Sequence, residues 1–290
     1  MDAATLIGDL RLLRLETLRR GAALDPARLG EQHEWRGKPA PLIFLLSWLA
    51  EADDTRRVRV DDTRARLAAP PTVAQRALVT AGETRGRLLG ALVGLPEALF
   101  DQPPAQGEWS VREILAHVIA TDKRYLIGTE YAIERARSGA GGPLRPPDAL
   151  LPPRTGEAER PGAPAAVLAR LTATRDDLTQ RLGATPDDLL DAPTNWTAWD
   201  LDVRFRIHRF AAHDREHLIQ LRKTLHALAF AQNEPQLLLA DAQAVRGAIE
   251  AQWLLAPAAL LEREPPGGGP TIAAISAAAL SEEQALLAAL

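Results

Sequence analysis

The chain has 290 residues and a formal net charge of −4, with 46% hydrophobic and 25% charged residues, which reads as a globular chain of about two domains. The acidic balance speaks against a nucleic-acid partner, which would need clustered surplus Lys and Arg. There is no Cys, which removes disulfides and protein thiolates and leaves His and carboxylates for any metal site. No apolar run approaches the roughly 20 residues of a membrane span. The opening MDAATLIGDLRLLRLE breaks its apolar residues with Asp and Arg, unlike a signal peptide. The expectation is a cytoplasmic protein without membrane contact.

Strand signals are scarce, whereas Ala, Leu, Arg and Glu fill long stretches, so an all-α chain without hairpins is expected. Residues 73–95 read as a helix that stops near Leu95-Pro96, and DQPPAQGEWS reads as a loop. Ser110, with Glu113 three residues on, makes a capping box for a helix to about Arg137. Residues 138–164 hold seven Pro and five Gly, a long irregular loop that is either a functional cover or a flexible exposed connection. A third helix covers about 164–183. A fourth runs from about Leu201 to Ala229, with Ile207, Ala211, Leu218, Leu221, Leu225 and Leu228 on one face. Four helices with one apolar face each predict a four-helix bundle over 73–232.

The chain then repeats itself at an offset of 161 residues. Arg85 meets Arg246, Gly86 meets Gly247, Pro96 meets Pro257 and Gly107 meets Gly268, while Trp35 meets Trp196, Phe44 meets Phe205 and Asp53 meets Asp214. Residues 1–70 match only the second half of the central unit, and 236–290 only its first half. A half bundle cannot bury its apolar face alone. The two ends are therefore expected to form a second, discontinuous bundle, making the chain a monomeric pseudo-dimer, with a homodimer as the other option.

In HDREH, His213 and His217 stand at i and i+4, so on a helix both imidazoles reach one ion. His117, two turns into the capped helix, stands at a height that an antiparallel bundle can match. Three His from two helices, with other positions left to water, describe an open metal site. At the same offset the three become Ala278, Ala52 and Arg56. Their joint loss is expected if they serve one ion, and it predicts a second bundle without metal.

WSVREILAHV, preceded by a GEW loop and followed about ninety-five residues later by HDREHLIQL, resembles the DinB/YfiT-like superfamily. The resemblance covers about 73–232. It implies a DinB-like four-helix bundle, often dimeric, with His117, His213 and His217 holding one divalent ion, zinc, nickel or iron. Characterised relatives include thiol-dependent enzymes: a mycothiol-dependent isomerase, bacillithiol transferases and a domain of ergothioneine-building sulfoxide synthases. The last group carries HxxxHxE, and here the Glu position is Ile219.

The expected function is that of a metal-dependent transferase or hydrolase acting on an unidentified small molecule. Without protein Cys, its nucleophile is water or an external low-molecular-weight thiol cosubstrate. The alternative is a non-catalytic metal-binding or stress-associated interaction module. No catalytic residue is assigned. Arg206, Gln220, Thr121 and Arg124 are candidate substrate contacts by their place on the histidine faces; Arg206 is either an anion ligand or a solvated arginine at the bundle edge. Trp109 is a core or loop anchor or a pocket wall; Asn195, Trp196 and Trp199 precede the fourth helix and are candidates for the mouth, although Trp196, shared with Trp35, reads as structural. Arg145, Arg154 and Arg160 on the long loop are placed to close over an anionic cosubstrate.

Overall fold

The computed structural model describes residues 3–196 and 199–290. The helices are α1 (Ala3–Ala22), α2 (Leu42–Arg66), α3 (Val73–Gly90), α4 (Glu97–Phe100), α5 (Val111–Ser138), α6 (Pro164–Gly183), α7 (Val203–Ala227), α8 (Glu234–Leu254), α9 (Ala258–Leu261) and α10 (Ile272–Ala289). Two small hairpins accompany them, β1 (Gln32–Trp35) with β2 (Lys38–Pro41), and β3 (Pro193–Trp196) with β4 (Trp199–Asp202). The chain divides into two compact units. Unit 1 comprises residues 1–71, 82–94 and 231–290; unit 2 comprises 72–81 and 95–230.

In unit 2, α5 packs on both α6 and α7. Its capping box is present: Ser110 Oγ accepts from the Glu113 amide at 3.3 Å and Glu113 Oε2 from the Ser110 amide at 2.9 Å. Gly139, with φ of +62°, ends the helix in the left-handed region where a Cβ would be strained. Ile114, Leu115, Val118 and Ile119 are fully buried on the core side. Asp202 caps α7 by accepting from the Phe205 amide at 2.7 Å. Beneath the apolar layer, Arg175 is ion-paired to both Asp122 and Asp214, at 2.9 and 2.8 Å. Burial of a guanidinium is tolerable here because carboxylates surround it.

In unit 1, α1 packs on α8 and α10, and α2 packs on the same two helices. Arg14 is the ionic centre, with Asp53 at 2.6 Å, Glu250 at 3.2 Å and Glu283 at 3.7 Å. Gly82 and Gly247 let two helix backbones meet, since a Cβ on Gly82 would lie 2.4 Å from the Gly247 carbonyl oxygen. By length and composition α10 could cross a membrane, which the sequence reading passed over. It carries Glu283, buried and bonded to Arg246 at 2.8 Å, and buries Ile272, Ile275 and Leu286, a third of its length being buried in all.

Elements recur 161 residues apart, α1 with α6, β1 with β3, β2 with β4, α2 with α7 and α4 with α9. Ala68 and Ala229, which follow α2 and α7, share the same unusual backbone, with φ of +56° and +57°. The hairpins depart from the expected absence of strands. Trp35 pairs with Lys38 across Arg36 and Gly37, whose φ values of +52° and +77° suit a two-residue turn. Strands of four residues rich in Pro and charge carry no readable alternation. The first helix expected over 73–95 also stops earlier, at Gly90.

Candidate metal centre

His117 projects from α5, and His213 and His217 project from α7, on the sides of the two helices that face one another. The 3.6-residue period sets this placement: His213 and His217 are one turn apart, and their Nε2 atoms lie 3.0 Å from each other. One ligand nitrogen from each of the three rings lies within 4.8 Å of the others. Two nitrogens each about 2.0–2.1 Å from one ion can be at most about 4.2 Å apart. The α7 pair satisfies this limit as it stands, and the three nitrogens together span no more than 4.8 Å.

One hydrogen bond favours the tautomer that His217 needs. His217 Nδ1 lies 2.8 Å from Gln220 Oε1, so it carries the proton and donates, leaving the Nε2 lone pair free toward the cluster. His117 Nε2 faces the same centre, 3.4 Å from Thr121 Oγ1. At 3.0 Å the His213 and His217 Nε2 atoms hold either a proton or a cation between them, and a neutral nitrogen donor set suits a borderline divalent ion. Burial, reinforced by the neighbouring histidines, pushes His213 down to about 2. Burial and His217 push His117 down to about 4, and burial lowers His217. The rings are thus neutral at pH 7, the state in which they ligate.

The rings open onto a cavity of about 340 Å³. Thr121, Arg124, Tyr125 and Gly128 line it from α5, and Arg206, Arg209 and Glu216 from α7. Tyr125 sits edge-on to His213 with ring centroids 5.5 Å apart, and Arg209 lies over the Trp196 ring at 5.0 Å while paired to Glu216 at 2.6 Å. Sequence reasoning missed Tyr125, Gly128, Arg209 and Glu216. Their signal was helical spacing, since Tyr125 stands two turns after His117 and Arg209 one turn before His213.

The candidate substrate contacts separate. Thr121, Arg124 and Arg206 line the cavity. Gln220 does not; it is the partner of the His217 ring. Arg206 is no solvated edge residue: it is 7% exposed, donates to Thr194 Oγ1 at 2.8 Å and to the Asn195 carbonyl, and is held in the cationic form less strongly than usual because of burial. Gly128 makes room for it, since a Cβ there would lie 2.7 Å from a guanidinium nitrogen. Asn195 and Trp196 line the cavity, while Trp199 is exposed and rests on Trp196. Trp109 packs its ring 5.1 Å from that of His117.

The long loop is fastened. Gly156 rests on the α5 backbone, where a Cβ would lie 2.6 Å from the Ala116 carbonyl carbon and 2.7 Å from the His117 nitrogen. Arg124 donates to the Pro152 carbonyl, Tyr131 to Pro143 at 3.2 Å, and Lys123 pairs with Glu159 at 2.5 Å. Arg145 and Arg154 reach the cavity; Arg160 instead pairs with Glu113 at 3.1 Å.

These features define a helical-bundle protein with a three-histidine centre open to a cavity. Residues 80–221 match the sequence profile of the DinB superfamily. No curated protein matches the chain. A solved structure with which it shares 14% identity is YfiT from Bacillus subtilis, described as a probable metal-dependent hydrolase with an unusual four-helix bundle topology. The likeness has a TM-score of 0.44 and covers 55% of this chain and 89% of that one.

Proposed function

We propose that the protein is a metal-dependent enzyme, a hydrolase or a thiol transferase, acting on a small molecule at His117, His213 and His217. The observation that carries this is the convergence of three neutral imidazoles on one point at the edge of a cavity of about 340 Å³. Among the described residues no fourth His, Asp or Glu joins the group, so ligand positions are left for solvent or substrate, as in a catalytic site and unlike a closed structural one. A divalent ion bound there supplies Lewis acidity toward a water or thiol and toward negative charge developing on a substrate. Gln220 fixes the His217 ring. Thr121 offers a hydroxyl beside His117, and Tyr125 and Trp196 present apolar walls that limit water. With no Cys in the chain, a sulfur nucleophile comes from a supplied low-molecular-weight thiol.

Support also comes from the resemblance to thiol-dependent members of the superfamily. We further propose that the two units are two copies of one bundle in a monomeric chain, only one of them keeping its metal ligands, and that the protein works in the cytoplasm. The test is metal analysis of untagged protein beside His213→Ala. About one ion per chain, lost in the variant, is expected; two ions or none in the wild type overturns the reading. Loaded protein is then given activated esters and electrophiles with and without thiol. Thiol-dependent consumption assigns a transferase and thiol-independent consumption a hydrolase, while an inert loaded protein returns the reading to a non-catalytic metal-binding module.

A further inference from the structure

Resting on that site but argued from different residues, we propose that the cavity beside the three histidines takes a small organic dianion, a dicarboxylate or a phosphate monoester, held by Arg124, Arg154 and Arg206. The chain as a whole carries a net charge of −4, yet its cavity is lined by five arginines and a single carboxylate, Glu216. That is a local inversion of charge inside a concave site, where low-dielectric walls strengthen the field on a bound ion. Two of the five arginines are already compensated, Arg209 by Glu216 at 2.6 Å and Arg145 by Asp148. Among the described residues Arg124, Arg154 and Arg206 have no carboxylate within ion-pair distance.

How Arg206 is held matters most. It is nearly buried, and its partners are a hydroxyl and a carbonyl, Thr194 Oγ1 and Asn195 O. Neutral acceptors orient a guanidinium without cancelling its charge, so the positive field persists in the cavity. A buried cation without a counter-charge is costly, and an entering anion removes that cost. Arg124 is treated likewise, its donor going to the Pro152 carbonyl. Burial and repulsion from Arg154 and Arg145 outweigh the weaker attraction of Asp148, which is itself paired to Arg145. Like charges held together by a fastened loop form a preorganised anion site, because the ordering precedes binding.

Charge and size narrow the ligand class. Three uncompensated guanidinium groups, contributed by α5, the long loop and α7, exceed what one monoanionic group can satisfy. A cavity of about 340 Å³ lies at the small end of small-molecule sites. Tyr125 and Trp196 add apolar surface for a short carbon frame. A dianion whose charges are spread over such a frame fits charge, volume and walls together.

The experiment is calorimetric titration of the full chain at low salt, metal-free and metal-loaded, with succinate, phenyl phosphate and, as monoanion, butyrate. Ion content is measured separately by mass spectrometry. At least one dianion should bind tenfold or more tightly than butyrate, with affinity falling as salt rises. Arg124→Gln/Arg154→Gln should lose a further tenfold or more. Arg154→Gln alone, at an exposed side chain, should lose part of the affinity with an unchanged melting curve. Arg204→Gln, outside the cavity lining and paired to Asp191 at 2.8 Å, should bind as wild type. The preferred dianion assigns carboxylate or phosphate chemistry. Equal binding of monoanion and dianions, or undiminished binding in the double variant, overturns the proposal. Failure of the metal reading has a different signature: no ion in the protein, with arginine-dependent dianion binding intact in the metal-free chain.

Discussion

The histidines that make the centre also make the metal-free protein sensitive to acid. His117 is held at about 4 and His213 at about 2 in the folded chain, against about 6.5 for a free imidazole. The unfolded state therefore binds more protons once the pH drops below about 6.5, and folding stability falls there. Each ring contributes a slope of up to about 1.4 kcal/mol per pH unit until its folded value is reached. Denaturant titration of metal-free protein between pH 7.5 and 5 should show this loss, and His117→Gln should flatten it. Gln220 gives a second check at this scale. Its oxygen fixes the proton on His217 Nδ1, and such outer partners are typically worth about 10–100-fold in metal affinity. Gln220→Leu should weaken metal binding by about that factor while the number of ions per saturated chain stays the same, as read by competition with a chelator. The spacing of His213 and His217 was legible in the sequence because a helix fixes it. The role of Gln220 was not, because a position one turn further on the same face suits a substrate contact equally well.

Among the elements, the segment between α5 and α6 changes most from its sequence reading. Seven Pro and five Gly describe a chain that forms no long helix, but composition says nothing of what fastens it. The fastening is done by side chains of α5, Lys123, Arg124 and Tyr131, and by the close seat of Gly156. Gly156→Ala should lift the loop from α5, at a cost of about 1–3 kcal/mol for overpacking. Limited proteolysis should then cut within 140–160 faster than in wild type, and unchanged cleavage would argue against a fixed wall. The start of α5 was legible with its cap. Ser110 and Glu113 are local signals, and local signals survive folding because they need no distant partner. The hairpins were hidden for the opposite reason: four-residue strands owe their existence to the helices and turns around them.

For the whole molecule, the repeat at 161 residues is visible in ionic centres as well as in elements. Arg14 with Asp53 and Glu283 in unit 1 corresponds to Arg175 with Asp214 and Asp122 in unit 2. Asp214 is thereby a fold residue, although it adjoins His213. Removing the guanidinium by Arg175→Met should destabilise the chain by about 3–5 kcal/mol, as breaking a buried ion cluster does, with a lower melting temperature as the readout. At the positions matching the metal ligands, unit 1 has Ala52, Ala278 and Arg56, and Arg56 is paired to Asp53 at 2.6 Å and to Glu282. A covalently attached cation thus stands in unit 1 where unit 2 has the candidate ligand His217.

The sequence by itself determined the long helices, the repeat and the identity of the three histidines. Helical period, caps and residue spacing act over a few residues, and an offset between two segments can be read without coordinates. Only the tertiary structure decided that a cavity opens beside the histidines, that Arg206 is buried among neutral partners, and that the long loop brings Arg145 and Arg154 to the same place. Those outcomes depend on how side chains far apart in the chain meet, and burial and charge compensation exist only once they have met.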